Sequence, residues 1–319
     1  MPATPAIETN IWFWIIFNAV VLALLGFDLL SHRKGHVVKG GEAVAWTAFW
    51  VSISVLFGAG IWWHYGHDTG ILFFTCYLIE YSLSIDNIFI FVLIFSSFQV
   101  PRDQQHRVLF WGIIGALILR GIMIAIGAYA IKQFSWILYI FGGLLLYLGF
   151  KMIFKKEEND DMQDKWIVRV SRRFLPFTDQ YHGEKFSIIE NGKRVFTPLL
   201  LVLIVVEFTD LIFAVDSIPA IFGVSQDTFI IYTSNVGAIL GLRSLYFLLA
   251  GAMVSFHFLK IGLGIILMFV GVKMLFANWF HVPPIYSLSF IITILLGSIA
   301  TSLFYKPKEE ETITMEPKH

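Results

Sequence analysis

The chain of 319 residues is 57% hydrophobic and only 14% charged, which excludes an ordinary soluble globular domain and is typical of a polytopic membrane protein. Its 23 basic and 23 acidic residues cancel, so no basic surplus argues for a nucleic-acid partner. The single cysteine excludes an internal disulfide.

Nine apolar segments are long enough to cross a bilayer as helices, which takes about 20 residues each. They are predicted at 11–31, 43–64, 71–97, 107–131, 134–154, 197–222, 228–254, 257–277 and 285–304. The predicted fold class is therefore all-α, with about nine transmembrane helices in contact with the lipid bilayer. The segment 306–319 is predicted to be a short charged tail.

Basic residues predict the orientation, because Lys and Arg accumulate in short cytoplasmic connections. They follow the first, third, fifth and ninth predicted spans, at Arg33, Lys34, Lys39, Arg102, Arg107, Lys155, Lys156, Arg169, Arg172, Arg173, Lys306 and Lys308. The loops of the opposite set contain one basic residue, Lys132. The amino terminus is therefore predicted outside and the carboxyl terminus in the cytoplasm. The long polar segment 155–196 becomes a cytoplasmic loop with a short amphipathic helix; we interpret it as a connector, and a regulatory role stays open.

The third to fifth and the sixth to eighth predicted spans form an internal repeat, covering residues 71–154 and 197–277. Aligning Asp86 with Asp216 also places Glu80 opposite Asp210, and the run after Gly149 then matches the run after Gly271. Each unit has three spans, so the second enters the membrane from the opposite side. Inverted repeats are common in secondary transporters, whose substrate site lies near the midplane. Residues 1–70 are then a two-helix extension and 278–305 a final helix.

Carboxylates inside the predicted spans indicate an ion, proton or substrate pathway, because a charge at membrane depth costs about 2.5–3.5 kcal/mol on insertion scales. Those of the repeat are Glu80 and Asp86 in the first unit, and Glu207, Asp210 and Asp216 in the second, whereas Asp28 near the end of the first span is interpreted as structural. A straight helix would turn Asp86 away from Glu80, and Asp216 away from Asp210, since each residue advances about 100°. We therefore predict helix breaks, with Ser84, Ser217 and Pro219 as their sites.

The oxygen ligands of these stretches, carboxylates, hydroxyls and amides, suit hard cations such as Mg²⁺, Ca²⁺ or Mn²⁺. Arg120 and Arg243 occupy equivalent mid-span positions and are predicted to pair with the acids. Five acids against two arginines leave three negative charges, of which a divalent cation would remove two. Buried carboxylates take up protons when the ion leaves, because desolvation and like charge disfavour ionisation. The sequence therefore predicts that the metal ion is transported in exchange for protons.

Three stretches identify a family: the run from Glu80 to Asn87, the run from Val206 to Pro219, and Thr233-Ser234-Asn235 ahead of Arg243. They resemble the TerC family of integral membrane proteins, of the Alx type, and the likeness extends over about residues 10–305. The resemblance implies a bacterial inner-membrane protein associated with manganese export. Carried over by position, it implies Glu80, Asp86, Glu207, Asp210 and Asp216 as acidic ligands, with Asn87 and Asn235 as amide ligands.

The leading hypothesis is thus a Mn²⁺ exporter that is not an enzyme. A membrane scaffold with structural ion pairs and a Ca²⁺ transporter remain alternatives. An intramembrane aspartyl protease is disfavoured because the chain lacks a Gly-x-Gly-Asp motif. The excess of carboxylates over arginines favours the transporter over the scaffold, since the charges of a purely structural network tend to cancel. The oligomeric state is left open.

Overall fold

A computed structural model describes residues 10–31, 40–134, 136–154, 166–190, 192–252, 257–276, 279 and 282–304. The side chains of Asp86 and Asp216, two of the predicted ligands, lie outside the described parts.

Helices make up nearly all of the described ranges. They are α1 (Ile11–Ser31), α2 (Gly40–Tyr65), α3 (His67–Ser97), α4 (Arg102–Gln133), α5 (Ile137–Phe154), α6 (Trp166–Phe174), α7 (Pro198–Phe222), α8 (Thr228–Leu240), α9 (Leu242–Ala252), α10 (His257–Leu275) and α11 (Pro284–Phe304). Strands β1 (Ser187–Glu190) and β2 (Lys193–Phe196) pair antiparallel. Within these ranges eight helices are long and apolar enough to cross a membrane, all except α6, α8 and α9. The predicted all-α polytopic class is confirmed.

The seventh predicted span, 228–254, is two helices rather than one, because α8 and α9 meet at a turn at Gly241. Glycine weakens a helix interior, and the hydroxyl of Ser244 donates to the Gly241 carbonyl at 2.9 Å. Trp50 of α2 packs closely here, since a Cβ atom at Gly241 would lie 3.3 Å from the Trp50 Cβ. At its start, α8 is capped by Asp227, whose carboxylate accepts from the Phe229 and Ile230 amides at 2.9 and 3.1 Å.

The predicted breaks at Ser84, Ser217 and Pro219 are wrong, because α3 and α7 are continuous helices. Pro219 lacks a backbone N–H donor, but this destabilises α7 little because the helix ends three residues later at Phe222. Nor does the serine-rich stretch open α3: the hydroxyl of Ser82 donates to its own helix, to the Leu78 carbonyl at 2.6 Å. The one described break in a predicted span is at Gly241, outside both acidic motifs.

The two three-helix units contact each other reciprocally. Helix α3 packs on α7 and α8, α4 packs on α7 and α8, and α5 packs along α10. Exchanging α3 with α7, α4 with α8 and α5 with α10 reproduces the same set of contacts. Such reciprocity is what a two-fold relation between inverted units requires.

The crossing of α5 and α10 shows the same reciprocity through glycines. A Cβ atom at Gly149 would lie 2.5 Å from the Gly264 carbonyl oxygen, and one at Gly142 would lie 3.1 Å from that of Gly271. In the repeat alignment Gly142 corresponds to Gly264 and Gly149 to Gly271, so either contact maps onto the other. The absence of side chains lets the two backbones touch, as in close helix crossings of other membrane proteins.

The polar segment between α5 and α7 docks onto the ends of α3 and α4; we call this face of the protein the linker side. Glu184 pairs with His106 at 3.3 Å and with Arg107 at 3.2 Å. The Tyr181 hydroxyl donates to the Phe98 carbonyl at 2.7 Å, and burial raises the pKa of Tyr181 to about 12. The predicted amphipathic helix is α6, whereas residues 155–165 and the predicted tail lie outside the described residues.

Candidate ion site

Arg120 of α4 joins acids from both units at the centre of the protein. Its guanidinium forms an ion pair with Glu80 of α3. It also donates twice to Asp210 of α7, from Nη2 to Oδ1 at 3.0 Å and from Nε to Oδ2 at 3.3 Å. Arg120 is 2% exposed and Glu80 is fully buried. The structure therefore brings together the two acids that the repeat alignment makes equivalent, through the planar fork that suits arginine to carboxylates.

Glu207 lies one turn before Asp210 on α7, half-buried and packed against Gly115 of α4. Its Oε2 atom is buried and makes no hydrogen bond to the described residues. Sequence reasoning missed Gly115. The two glycines at Gly112 and Gly115 ahead of Arg120 were the available signal, because small residues on one helix let a neighbouring helix or side chain approach.

Gly115→Ala is expected to displace the Glu207 carboxylate, because the added methyl group would occupy its present position. The end of a glutamate can rotate away, so we expect the thermal stability in detergent to change little and metal flux to fall several-fold. Gly121→Ala on the same helix is the matched control, since its Cβ would lie 3.5 Å from the Tyr232 Cε2, an ordinary contact. Equal flux in the two variants would show that the position of Glu207 does not matter.

Among the described residues, the partner of Arg243 is Asp28, whereas its pairing with Asp86 or Asp216 stays a prediction. Arg243 of α9 donates to the Asp28 carboxylate of α1 at 2.8 Å and to the Asp28 backbone carbonyl at 3.2 Å. Both residues are buried, at 3% and 4% exposure. Asp28 lies outside the repeat, so the symmetry argument could not supply this partner. Among the described side chains Arg120 is the arginine that pairs with repeat acids, and the five acids of the repeat exceed its single positive charge.

Several buried polar atoms around the acidic motifs make no hydrogen bond within the described part of the chain. Besides Glu207 Oε2, they include Ser84 Oγ of α3, Ser217 Oγ of α7 and Asn235 Nδ2 of α8. Asn87 of α3 is also buried, at 3% exposure. Buried polar groups of proteins nearly always have a partner, which can be a water molecule or an ion. The orphaned atoms lie in or beside the stretches that sequence reasoning selected.

A small cavity lies against the ion pair on its linker side. Arg120 and Asp210 form its inner end, and its walls include Phe91, Gly112, Ala116 and Val206. Its volume of about 10 Å³ admits roughly one water-sized particle. Because the walls are apolar, a small ion in this cavity would interact mainly with the charged side chains of Arg120 and Asp210.

The described residues do not by themselves form a complete metal site: no three His, Cys, Asp or Glu side chains among them lie close enough to hold an ion. Glu80 and Asp210 are paired with Arg120, and Asn87 of α3 and Asn235 of α8 are buried. Asp86 and Asp216 belong to the same helices as Glu80 and Asp210, but their side chains lie outside the described parts.

Residues 65–310 match the family described as Integral membrane protein TerC family. An uncharacterized membrane protein of Myxococcus xanthus is 50% identical over 91% of each chain. The "Putative membrane-bound redox modulator Alx" of Escherichia coli K12 is 47% identical over 89% of this chain and 91% of its own. An uncharacterized membrane protein of Rickettsia bellii is 41% identical, over 92% and 97%. No solved structure matches the chain.

Proposed function

Because the chain belongs to the TerC family of integral membrane proteins, we propose that it is a secondary transporter that exports Mn²⁺ from the bacterial cytoplasm in exchange for protons. The observation that supports this most is the ion pair of Arg120 with Glu80 and Asp210, one acid from each inverted unit. Substrate sites of transporters with inverted repeats lie at such an interface.

Arg120 acts in this proposal as an internal stand-in for the transported cation. Glu80 and Asp210 need a positive partner while they are ionised in a low-dielectric surrounding. The guanidinium supplies it in the state seen here, and a divalent cation would supply it in the loaded state, with Arg120 withdrawn. Competition between the two keeps the empty carboxylates from being stranded without a counter-charge.

The surplus of acid supports a divalent substrate and a proton-coupled exchange. The five acids of the repeat exceed the single positive charge of Arg120. A bound Mn²⁺ would remove two of the negative charges, and protons entering when the metal leaves would compensate the carboxylates again. Orphaned hydroxyl and carboxylate oxygens at Ser84, Ser217 and Glu207 are further hard ligands of the kind that Mn²⁺ accepts.

The direction of transport follows from the predicted orientation. The linker side has the basic loops and is assigned to the cytoplasm of the inner membrane, and the cavity lies between this side and the ion pair. Cytoplasmic metal would enter there. The relatives' name refers to redox modulation, but the single cysteine of this chain, Cys76, is fully buried. The proposal therefore includes no thiol step.

Asp210→Asn is expected to abolish metal transport while keeping the size of the side chain. We expect Mn²⁺ flux in proteoliposomes to fall about ten-fold or more, since a hydrogen bond to a charged group contributes about 1.5–3 kcal/mol. Glu80 still pairs with Arg120 in this variant, so the protein should fold. Asp179→Asn, in the exposed linker, is the control.

Flux through the unmodified protein should also rise when a pH gradient drives protons opposite to the metal. A flux indifferent to the gradient would remove the proton exchange from the proposal. Full transport by Asp210→Asn would instead favour the alternative of a membrane scaffold, whose buried ion pairs hold helices together.

A further inference from the structure

Helix α6 presents an apolar row and a basic row side by side on its outer surface. Trp166, Val170 and Phe174 repeat every four residues and are 58%, 37% and 77% exposed. Arg169 and Arg173 have the same spacing and are exposed, and at about 100° per residue they flank the apolar row. Val168 and Ser171 are buried on the opposite face. The helix is therefore amphipathic in two ways, with one face against the protein and another apolar face turned outward.

The amino end of α6 reaches into the depth of the membrane. The Trp166 ring meets the Phe208 ring of α7 edge-on, with centroids 5.2 Å apart. Val206, two residues before Phe208, lies level with Gly112 of α4. Gly112 is five residues inward from Arg107, whose ion pair with Glu184 marks the polar surface. At 1.5 Å per residue, Trp166 thus lies roughly 10 Å inside that surface.

The carboxyl end of α6 returns to the surface beside the start of α7. Just beyond Phe174, the Pro176 carbonyl accepts from the Phe196 amide at 2.8 Å, and Phe196 precedes α7 by two residues. The helix therefore stands alongside the first turns of α7. Arg169 and Arg173 lie about 4.5 and 10 Å nearer the surface than Trp166, at the level of lipid headgroups and within reach of them by extension of their side chains.

We infer that α6 is a binding site for anionic phospholipids, with Arg169 and Arg173 contacting the headgroup phosphate and Trp166 and Val170 lying among the glycerol and upper acyl chains. Two arginines one turn apart match a phosphate in charge and spacing, and aromatic residues favour the membrane interface. Within the described residues, Arg172 on another face pairs with Asp179 at 3.3 Å, whereas Arg169 and Arg173 form no such pair. The chemistry and the depth both fit a lipid occupant, independently of the proposed transport.

The test uses the full chain in nanodiscs of phosphatidylcholine, alone or mixed equally with phosphatidylglycerol. The unmodified protein should melt at a higher temperature in the mixture and retain phosphatidylglycerol in native mass spectrometry. In Arg169→Gln/Arg173→Gln we expect retention to fall about ten-fold or more, since each basic residue near the membrane surface contributes about 1 kcal/mol of attraction.

The matched control is Arg172→Gln/Arg194→Gln, which removes the same charge from the same linker but from arginines that already bond Asp179 and Ser187. It should retain phosphatidylglycerol as the unmodified protein does. Equal losses in both double variants would reduce the effect to general electrostatic attraction and overturn the site. So would a fall in melting temperature of Arg169→Gln/Arg173→Gln that is the same in both lipid mixtures, because the arginines would then be binding acids of the chain itself.

Discussion

Arg120→Met is expected to lower the free energy of unfolding by about 3–5 kcal/mol, because it strands Glu80 and Asp210 as buried carboxylates without a cation. Methionine keeps the length and apolar stem of the side chain, so lost packing contributes little. Denaturant or thermal unfolding of the purified protein in detergent measures the change. The variant should also fail to transport Mn²⁺. A stability within about 1 kcal/mol of the unmodified protein would mean that the acids are already protonated or hydrated.

The triple variant Glu80→Gln/Arg120→Met/Asp210→Asn separates structure from transport. It removes all three charges together, so most of the lost stability should return, as it does when other buried ion pairs are replaced as a unit. Transport should stay absent, because the oxygen ligands with negative charge are gone. Recovery of both stability and cellular function would favour the scaffold alternative, in which the charges serve only to hold α3, α4 and α7 together.

Asp28→Asn is expected to cost about 3 kcal/mol of stability, because it removes the carboxylate that faces the buried guanidinium of Arg243. The size of the side chain is unchanged and the backbone carbonyl of Asp28 still accepts from Arg243. Unlike the Arg120 variants, this one should transport Mn²⁺ at a nearly normal rate per folded molecule. Unfolding in detergent and flux normalised to folded protein provide the two readouts.

The control for this pair is Asp28→Leu/Arg243→Leu, which replaces both charges by apolar groups and should recover much of the stability. The opposite pattern, normal stability with lost transport in Asp28→Asn, would move Asp28 and Arg243 into the ion pathway. It would also support the balancing role that the repeat predicted for Arg243.

The sequence was sufficient to predict most helices, because a membrane span needs an apolar run of fixed length whatever its neighbours are. For example, α1 at Ile11–Ser31 and α11 at Pro284–Phe304 were placed within a residue of their ends. The break at Gly241 was missed because one glycine in a long apolar run is ordinary in membrane helices. Ser217 and Pro219 were stronger signals of a helix break in the sequence. Pro219, however, lies too near the end of α7 to interrupt it.

The partners of the arginines were only half predictable. The repeat alignment correctly made Glu80 and Asp210 equivalent, and one arginine now joins them. The symmetry could not supply Asp28 as a partner of Arg243, because Asp28 belongs to α1, which no repeat argument includes. Depth along the spans was an unused signal: Asp28 lies near the linker side of its span, and Arg243 lies in the half of its predicted span nearer that side. Matching charged residues by their depth in the membrane would have suggested the contact between Asp28 and Arg243.

The crossing of α5 and α10 has a consequence for any movement between the units. Gly142 with Gly271, and Gly149 with Gly264, place backbone directly on backbone across it. Because each contact maps onto the other, a two-fold relation between the units would have its axis at this crossing, and we expect the crossing to stay in place if the units exchange conformations in the proposed transport. It can serve as a pivot that remains sealed to water and lipid as the remainder of each unit rocks around it.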